Sequence, residues 1–222
     1  MKAITNTIKA AVLSSFVVFS SGGVYAADQI KMIMNWTADS AHLGFAVAEQ
    51  SGIYDAANLD VTLEEGRGSS VAAQMVATGQ AQIGLADAGA ALNVASKGAP
   101  IRIVSTIWKS GQFGIQTLAS SGITSPKGLK GKKVAVPPGS AMVALMPVFL
   151  SENGLSEDDV EIVSANQNAF LGLLTSGEVD ATAETPENIV VPLAAQGIKA
   201  NNMYFYNNGV PLVSLSLVAL DD

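Results

Sequence analysis

Residues 59–96, LDVTLEEGRGSSVAAQMVATGQAQIGLADAGAALNVAS, contain two strand–helix units in succession. The first five residues alternate apolar and polar side chains, as a half-buried strand does. A loop rich in glycine and serine then leads into a helical stretch that Gly79 ends. The pattern predicts strands at 59–63 and 83–86 and helices at 71–78 and 89–96. Strands that alternate with helices indicate an α/β fold with parallel strands.

The same alternation continues on both sides of this stretch. We predict further strands at 30–35, 101–107, 113–118, 133–136, 160–163, 179–183 and 203–206, and further helices at 41–50, 141–152, 169–176 and 186–196. The polar residues 119–133 separate two sets of elements. Because each half of the chain has its own strands and helices, we predict two small α/β lobes rather than one sheet.

The composition is that of a globular protein, and it excludes several classes of function. The chain has 222 residues, of which 49% are hydrophobic and 14% are charged. Its 19 acidic and 12 basic residues give a net charge of −7, which argues against a nucleic-acid partner. It has no cysteine and one histidine, so thiolate chemistry and paired-histidine metal motifs are excluded. We therefore expect no metal and no cofactor.

The amino terminus has the pattern of an export signal. Two lysines and no acid precede an apolar run of twelve residues at 10–21. A run of this length is too short to cross a bilayer as a helix, although a membrane anchor is the alternative interpretation. Small residues at Val24 and Ala26 predict cleavage after Ala26. Since no cysteine is present for a lipid anchor, an outer membrane would have to retain the protein, and we predict a periplasmic location.

Five loops occupy the places where α/β sheets bind ligands, which are the carboxyl ends of strands and the amino termini of helices. They lie at 36–42, 66–70, 86–90, 137–141 and 184–187. We expect the loops of the two lobes to face each other across a cleft. The candidate ligand-binding residues in these loops are Trp36, His42, Ser69, Ser70, Asp87, Gly139, Ser140 and Glu184.

Each candidate also has a structural interpretation. The Trp36 indole can stack on a flat ring or a cation, or it can pack within its lobe. His42 can exchange hydrogen bonds with a ligand, or it can cap a helix. The Ser69 and Gly139 loops each open a predicted helix, where backbone N–H groups and hydroxyls bind anions, although the serines can also serve as N-caps alone.

Asp87 and Glu184 favour a different ligand chemistry. Each follows a strand, and each can accept hydrogen bonds from an amine or an aminopyrimidine. Asp87 can instead cap the helix that begins near Gly89, and Glu184 can stabilise the start of the next helix electrostatically. A site that combines donors with acceptors indicates a zwitterionic or heteroaromatic ligand.

Short segments spread over the chain form a further pattern. They are NW at 35–36, HLGFAVA at 42–48, GIY at 52–54, LDV at 59–61, GQA at 79–81, GLAD at 84–87, LKGKKV at 129–134, GL at 154–155, GEVDA at 177–181 and GVPL at 209–212. In this order and spacing they resemble the solute-binding proteins of bacterial ABC transporters, in the group that includes thiamine-pyrimidine, alkanesulfonate, taurine and nitrate receptors. The Asn35-Trp36 pair with His42 is most similar to the pyrimidine-precursor receptors. The resemblance implies as ligand a pyrimidine-type thiamine precursor or a sulfonate- or taurine-like compound.

The resemblance implies the type II periplasmic-binding-protein fold, in which mixed sheets flanked by helices form two lobes joined by a two-strand hinge. We expect one lobe at 27–117, the other at 118–209, and a return crossing at 210–222, with the hinge strands at 113–118 and 211–218. The resemblance also implies a monomer that closes on a small molecule and delivers it to a membrane permease with its ATPase. Members of the group continue for roughly a hundred further residues. We therefore expect that part of the first lobe is missing after Asp222.

Two other functions fit parts of the sequence. Gly66, Gly68 and the later Asp87 are similar to a dinucleotide-binding fingerprint, but Val71 replaces its third small residue. Pyrimidine-synthesising enzymes that resemble the group rely on motifs with cysteine, which this chain lacks. We expect a binding protein and not an enzyme. The alternatives are an exported enzyme of the same fold acting on a pyrimidine or nucleotide-like substrate, and a ligand-sensing partner of a membrane chemoreceptor.

Overall fold

A computed structural model describes residues 26–221 of the chain. Residues 1–25, which hold nearly all of the predicted export signal, lie outside the described range. Within that range, no helix combines the length and the apolar character needed to cross a membrane.

The first sheet has five strands and belongs to the first lobe. In chain order they are β1 (Asp28–Ile33), β2 (Leu59–Glu64), β3 (Ile83–Asp87), β4 (Ile101–Thr106) and, from the end of the described chain, β10 (Leu215–Leu220). They lie side by side in the order β2-β1-β3-β10-β4. β1 runs parallel to β2 and β3, whereas β10 runs antiparallel to β3 and β4. The sheet is therefore mixed, as the fold class predicts.

The second sheet is built in the same way from the middle of the chain. Its strands are β5 (Gly114–Leu118), β6 (Lys132–Val136), β7 (Val160–Ser164), β8 (Ala181–Glu184) and β9 (Ala200–Tyr204). They lie in the order β7-β6-β8-β5-β9. β6 is parallel to β7 and β8, and β5 is antiparallel to β8 and β9.

Helices cover both sheets and build the cores. They are α1 (Leu43–Gln50), α2 (Ile53–Ala56), α3 (Ser69–Ala77), α4 (Ala88–Ser96), α5 (Ala141–Glu152), α6 (Phe170–Ser176) and α7 (Pro186–Ala195). In the first lobe, α3 and α4 bury small residues such as Ala72 and Ala91 against the sheet. In the second lobe, Phe149 of α5 and Phe170 of α6 are fully buried in separate clusters. Burying one such side chain contributes about 1.5–3 kcal/mol.

The hinge differs from the prediction. The strand predicted at 113–118 is β5, which pairs on both edges within the second sheet, so it lies in the second lobe and does not join the lobes. Most of the segment predicted at 211–218 is β10 or leads directly into it. The chain crosses between the lobes in two irregular segments, which we name the first connection (107–113) and the second connection (205–214). Because β5 and β10 are each paired within one sheet, the chain crosses between the lobes in the irregular segments before them.

Candidate ligand-binding site

A cavity of about 310 Å³ lies between the two lobes. The first lobe contributes residues after β1 and at the start of α3, and the second lobe contributes the starts of α5 and α7. The first connection closes one side with Trp108, Gln112 and Phe113. Of the predicted site residues, four line this cavity, namely Trp36, Ser69, Ser140 and Glu184.

The position of Trp36 is determined by contacts between two loops of the first lobe. Gly66 N–H donates to the Trp36 carbonyl over 3.1 Å, and Gly68 N–H donates to the Asn35 carbonyl over 2.8 Å. A Cβ atom on Gly66 would overlap the Met34 carbonyl, so only glycine permits this approach. The loop after β2 thereby holds Asn35 and Trp36 at the cavity wall.

His42 supports the wall but does not line the cavity. It is buried, and its Nδ1 accepts a hydrogen bond from Asp39 N–H over 3.2 Å within a capping box. Its Nε2 lies 2.8 Å from Oδ1 of Asn35, which does line the cavity. These contacts fit the neutral ring with its proton on Nε2, which donates to Asn35. A ligand contact by His42 stays a prediction, whereas its positioning of Asn35 is visible.

The two serine-containing helix starts bind each other. Ser70 N–H donates to the Gly139 carbonyl over 3.2 Å, and the Ser70 hydroxyl lies 3.4 Å from the Ser140 carbonyl. The Ser140 hydroxyl donates to the Pro137 carbonyl over 2.6 Å. Neither Ser70 nor Gly139 lines the cavity. The Ser70 N–H and the hydroxyls of Ser70 and Ser140 are thus already bonded to backbone carbonyls, so they are not free to bind an anion. The two Ser70 contacts also join the lobes across the cleft.

Glu184 lies at the end of β8 and is only 4% exposed. Its Oε1 accepts from Thr185 N–H over 2.8 Å, from the Thr185 hydroxyl over 3.1 Å and from the Asn188 amide over 3.3 Å. No described residue donates to Oε2. Burial raises the pKa of Glu184, these hydrogen bonds oppose the rise, and the negative charge of Asp39 adds to it.

Buried polar residues hold the backbone of Glu184 from below. The Gln116 amide donates to the Glu184 carbonyl over 2.8 Å and to Oδ1 of Asn202 over 2.8 Å. The Thr182 hydroxyl donates to Oε1 of Gln116 over 3.2 Å. Gln116 and Thr182 are fully buried, so their hydrogen bonds hold the end of β8 in one position.

Asp87 lies outside the cavity lining, contrary to its selection as a contact residue. It is the N-cap of α4, and its Oδ1 accepts from Gly89 N–H over 2.9 Å. Its Oδ2 accepts from the Ser214 hydroxyl over 2.9 Å. Burial raises the pKa of Asp87 to about 6, against the lowering effect of the hydrogen bonds from Ser214 and from the start of α4. The capping alternative is therefore the one seen.

Several lining residues were absent from the sequence prediction. The ones that matter for chemistry are Asn35, Asp39, Trp108, Gln112, Glu187 and Asn188. Trp108 could have been selected from the sequence, because it is one of two tryptophans and follows β4, the last strand before the chain crosses to the second lobe. The others are polar residues of loops or first helical turns without a distinctive pattern.

The cavity is acidic. Asp39, Glu184 and Glu187 line it, and no lysine, arginine or histidine stands among the described lining residues. A buried carboxylate without a basic partner is costly unless another group neutralises it or donates to it. The lining thus has aromatic faces, amide groups and carboxylates, which suit a flat ligand bearing N–H donors.

Known proteins resemble this chain in sequence and in fold. The chain is 27% identical over 157 residues to a Haemophilus influenzae protein provisionally named a thiamine biosynthesis protein, covering 71% of this chain and 50% of that protein. It is 27% identical over 176 residues to the 4-amino-5-hydroxymethyl-2-methylpyrimidine phosphate synthase of Uromyces fabae, covering 79% of this chain and 51% of that protein. It thus spans about half the length of these curated relatives.

Among solved structures, the periplasmic aliphatic sulphonate binding protein SsuA of Escherichia coli has the same fold. The TM-score is 0.68 at 16% identity, and the alignment covers 87% of this chain and 65% of that one. A family model described as "NMT1/THI5 like" matches residues 39–222. The two mixed sheets and the cleft between them agree with that match. The chain belongs to the NMT1/THI5-like family.

Proposed function

We propose that this protein is the extracytoplasmic solute-binding component of an ABC importer. It captures a small organic solute between its lobes and delivers it to a permease with its ATPase. The cleft carries this proposal, since both lobes and the first connection contribute side chains to one cavity. Family membership and the fold shared with a sulphonate-binding protein support it. The protein would act as a monomer in the periplasm after cleavage behind Ala26.

The ligand is a flat heteroaromatic compound with amino groups, of the thiamine-pyrimidine type. Trp36 and Trp108 provide ring faces, and the unpaired oxygen of Glu184 accepts from an amino group. A sulfonate is disfavoured, because the lining is acidic and the Ser70 N–H group is used on Gly139. The relatives named for thiamine biosynthesis and for pyrimidine phosphate synthesis agree with this ligand class.

Calorimetry and thermal melts with a ligand panel test the proposal. The panel holds 4-amino-5-hydroxymethyl-2-methylpyrimidine, taurine, an alkanesulfonate and nitrate. At a concentration 100 times its dissociation constant, a ligand stabilises the protein by about 2.7 kcal/mol, which raises the melting temperature by several degrees. We expect the aminopyrimidine alone to do so. A shift with taurine or the alkanesulfonate would show that the proposed ligand class is wrong, while the proposed receptor role would stand.

An enzyme is the second candidate, because one relative is named a pyrimidine phosphate synthase. The chain has no cysteine, so the cleft offers no thiol nucleophile. Mass spectrometry after incubation of the protein with the aminopyrimidine tests for an enzyme that consumes this compound. A synthase would instead form the pyrimidine phosphate when no pyrimidine is added. A receptor does neither.

A further inference from the structure

Asp87 stands beside the point where the two connections meet. The Ser214 hydroxyl donates to Asp87 Oδ2 over 2.9 Å, and the Ser214 carbonyl accepts from Ala88 N–H over 3.1 Å. Ser214 N–H in turn donates to the Trp108 carbonyl over 3.0 Å. One carboxylate is thus bonded to the start of α4 and to the second connection, and the second connection is bonded to the first.

Trp108 brings this arrangement to the candidate site. The backbone N–H of Trp108 donates to the Leu215 carbonyl over 3.2 Å. The Trp108 side chain packs against the apolar cluster that contains Leu85 and Leu215. The same residue lines the cavity between the lobes. Two hydrogen bonds through Ser214 therefore connect Asp87 to a residue of the cavity wall.

Within the described chain, Asp87 is buried among residues that carry no charge. Asp87 is 2% exposed, and the small cavity beside it is lined by residues of α5 and of both connections. All of these described lining residues are apolar or glycine, so none offers a charge to Asp87. Its hydrogen-bonding partners are the Ser214 hydroxyl and the backbone at the start of α4.

We propose that Asp87 is a positioning residue for the candidate site, which holds both connections through Ser214 and thereby sets Trp108 in the cavity wall. This inference goes beyond the proposed function, because it concerns the hinge and its test needs no ligand. The raised pKa of Asp87, about 6, offers a readout, since its ionisation then falls in an accessible range.

Trp108 fluorescence tests the proposal. The chain has two tryptophans, so Trp36→Phe leaves Trp108 as the only one. In that background, emission is followed between pH 4.5 and 8, alone and with D87N, S214A or D159N added. D159N is the control, because the Asp159 carboxylate also accepts from a backbone N–H at a helix start, that of Ser156, but belongs to the second lobe. H42Q and E184Q in the same background identify any contribution from His42 behind the cavity wall or from Glu184 in the cavity lining.

We expect a transition near pH 6 in W36F and in its D159N derivative, and its loss in D87N. S214A should move the midpoint to higher pH, because the Ser214 hydrogen bond lowers the pKa of Asp87. A role of Asp87 confined to capping α4 would leave Trp108 emission unchanged across this pH range. Absence of the transition in W36F, or its persistence in D87N, overturns the proposal. If D87N does not fold cooperatively, the direction of the S214A shift decides in its place.

Discussion

Gly68 of the first lobe and Gly139 of the second approach so closely that a Cβ atom on Gly68 would overlap the Gly139 carbonyl. Gly68 has a φ of +133°, a conformation that side-chain-bearing residues rarely adopt. The neighbouring hydrogen bond from Ser70 N–H to the same carbonyl joins the lobes. The contact between the lobes at this place therefore depends on the absence of a side chain.

Gly68→Ala should separate the lobes at this contact and weaken ligand binding. A receptor that cannot close loses the contacts made only in the closed state. We expect at least a tenfold loss of affinity for 4-amino-5-hydroxymethyl-2-methylpyrimidine by calorimetry, or about 1.4 kcal/mol. Gly98→Ala is the matched control, because Gly98 also has a positive φ, +92°, but has open space around it. Equal affinities of the two variants would show that the Gly68 contact is not needed for binding.

Glu184→Gln should reduce the affinity for an aminopyrimidine at least tenfold. The amide keeps an acceptor for Thr185 N–H but replaces the negative charge and one acceptor oxygen. Glu187→Gln removes a charge from the same cavity lining at an exposed position and should change the affinity by less than threefold. Calorimetry of both variants with the same compound gives the comparison. Similar losses in both would mean that overall charge matters, and not the unpaired oxygen of Glu184.

Trp36→Ala should weaken binding of the aminopyrimidine at least tenfold and leave unfolding cooperative. The side chain is half-buried at the cavity wall, so its loss removes a stacking surface without opening the core. Trp36→Phe retains an aromatic face and should recover most of the affinity. Titration of both variants against the parent tests this, and the stacking role fails if Ala and Phe bind equally.

Local sequence patterns were sufficient to predict the alternating strands and helices and their division into two lobes, whereas the mixed sheets were implied only by the family resemblance. Each unit such as 59–96 shows its own strand and helix periods, and these are set by neighbours within a few residues. The strands and helices lie close to those units, but β5 and β10 run antiparallel to their neighbours, which the local patterns did not predict. The hinge was placed wrongly because β5 looks the same in sequence whether it crosses between lobes or pairs with β8 and β9.

The candidate site was less predictable, for a physical reason. The role of Asp87 depends on Ser214, which lies 127 residues later, and no local pattern reports that contact. His42 resembles a ligand contact in sequence, but both of its nitrogens are occupied within its own loop. Residues at or just after strand ends, such as Glu184 and Trp36, reach the cavity because these strand ends meet there.

The pH dependence of stability offers a last test, which concerns Asp87. Its pKa rises from the ordinary value near 4 to about 6 in the folded protein, so the folded state binds the proton more tightly than the unfolded state. The stabilisation from that proton is present below about pH 4 and is lost as the pH rises through about 6. Two pKa units correspond to about 3 kcal/mol.

Asp87→Asn removes this dependence and keeps an acceptor for Gly89 N–H. The variant should therefore gain stability relative to the parent between pH 4.5 and pH 8, by about 2 kcal/mol. Urea unfolding of both proteins at the two pH values measures the difference, and other titrating groups cancel because they are common to both. A difference that does not change with pH would show that Asp87 ionises as readily in the folded protein as in the unfolded chain, in spite of its burial beside Ser214.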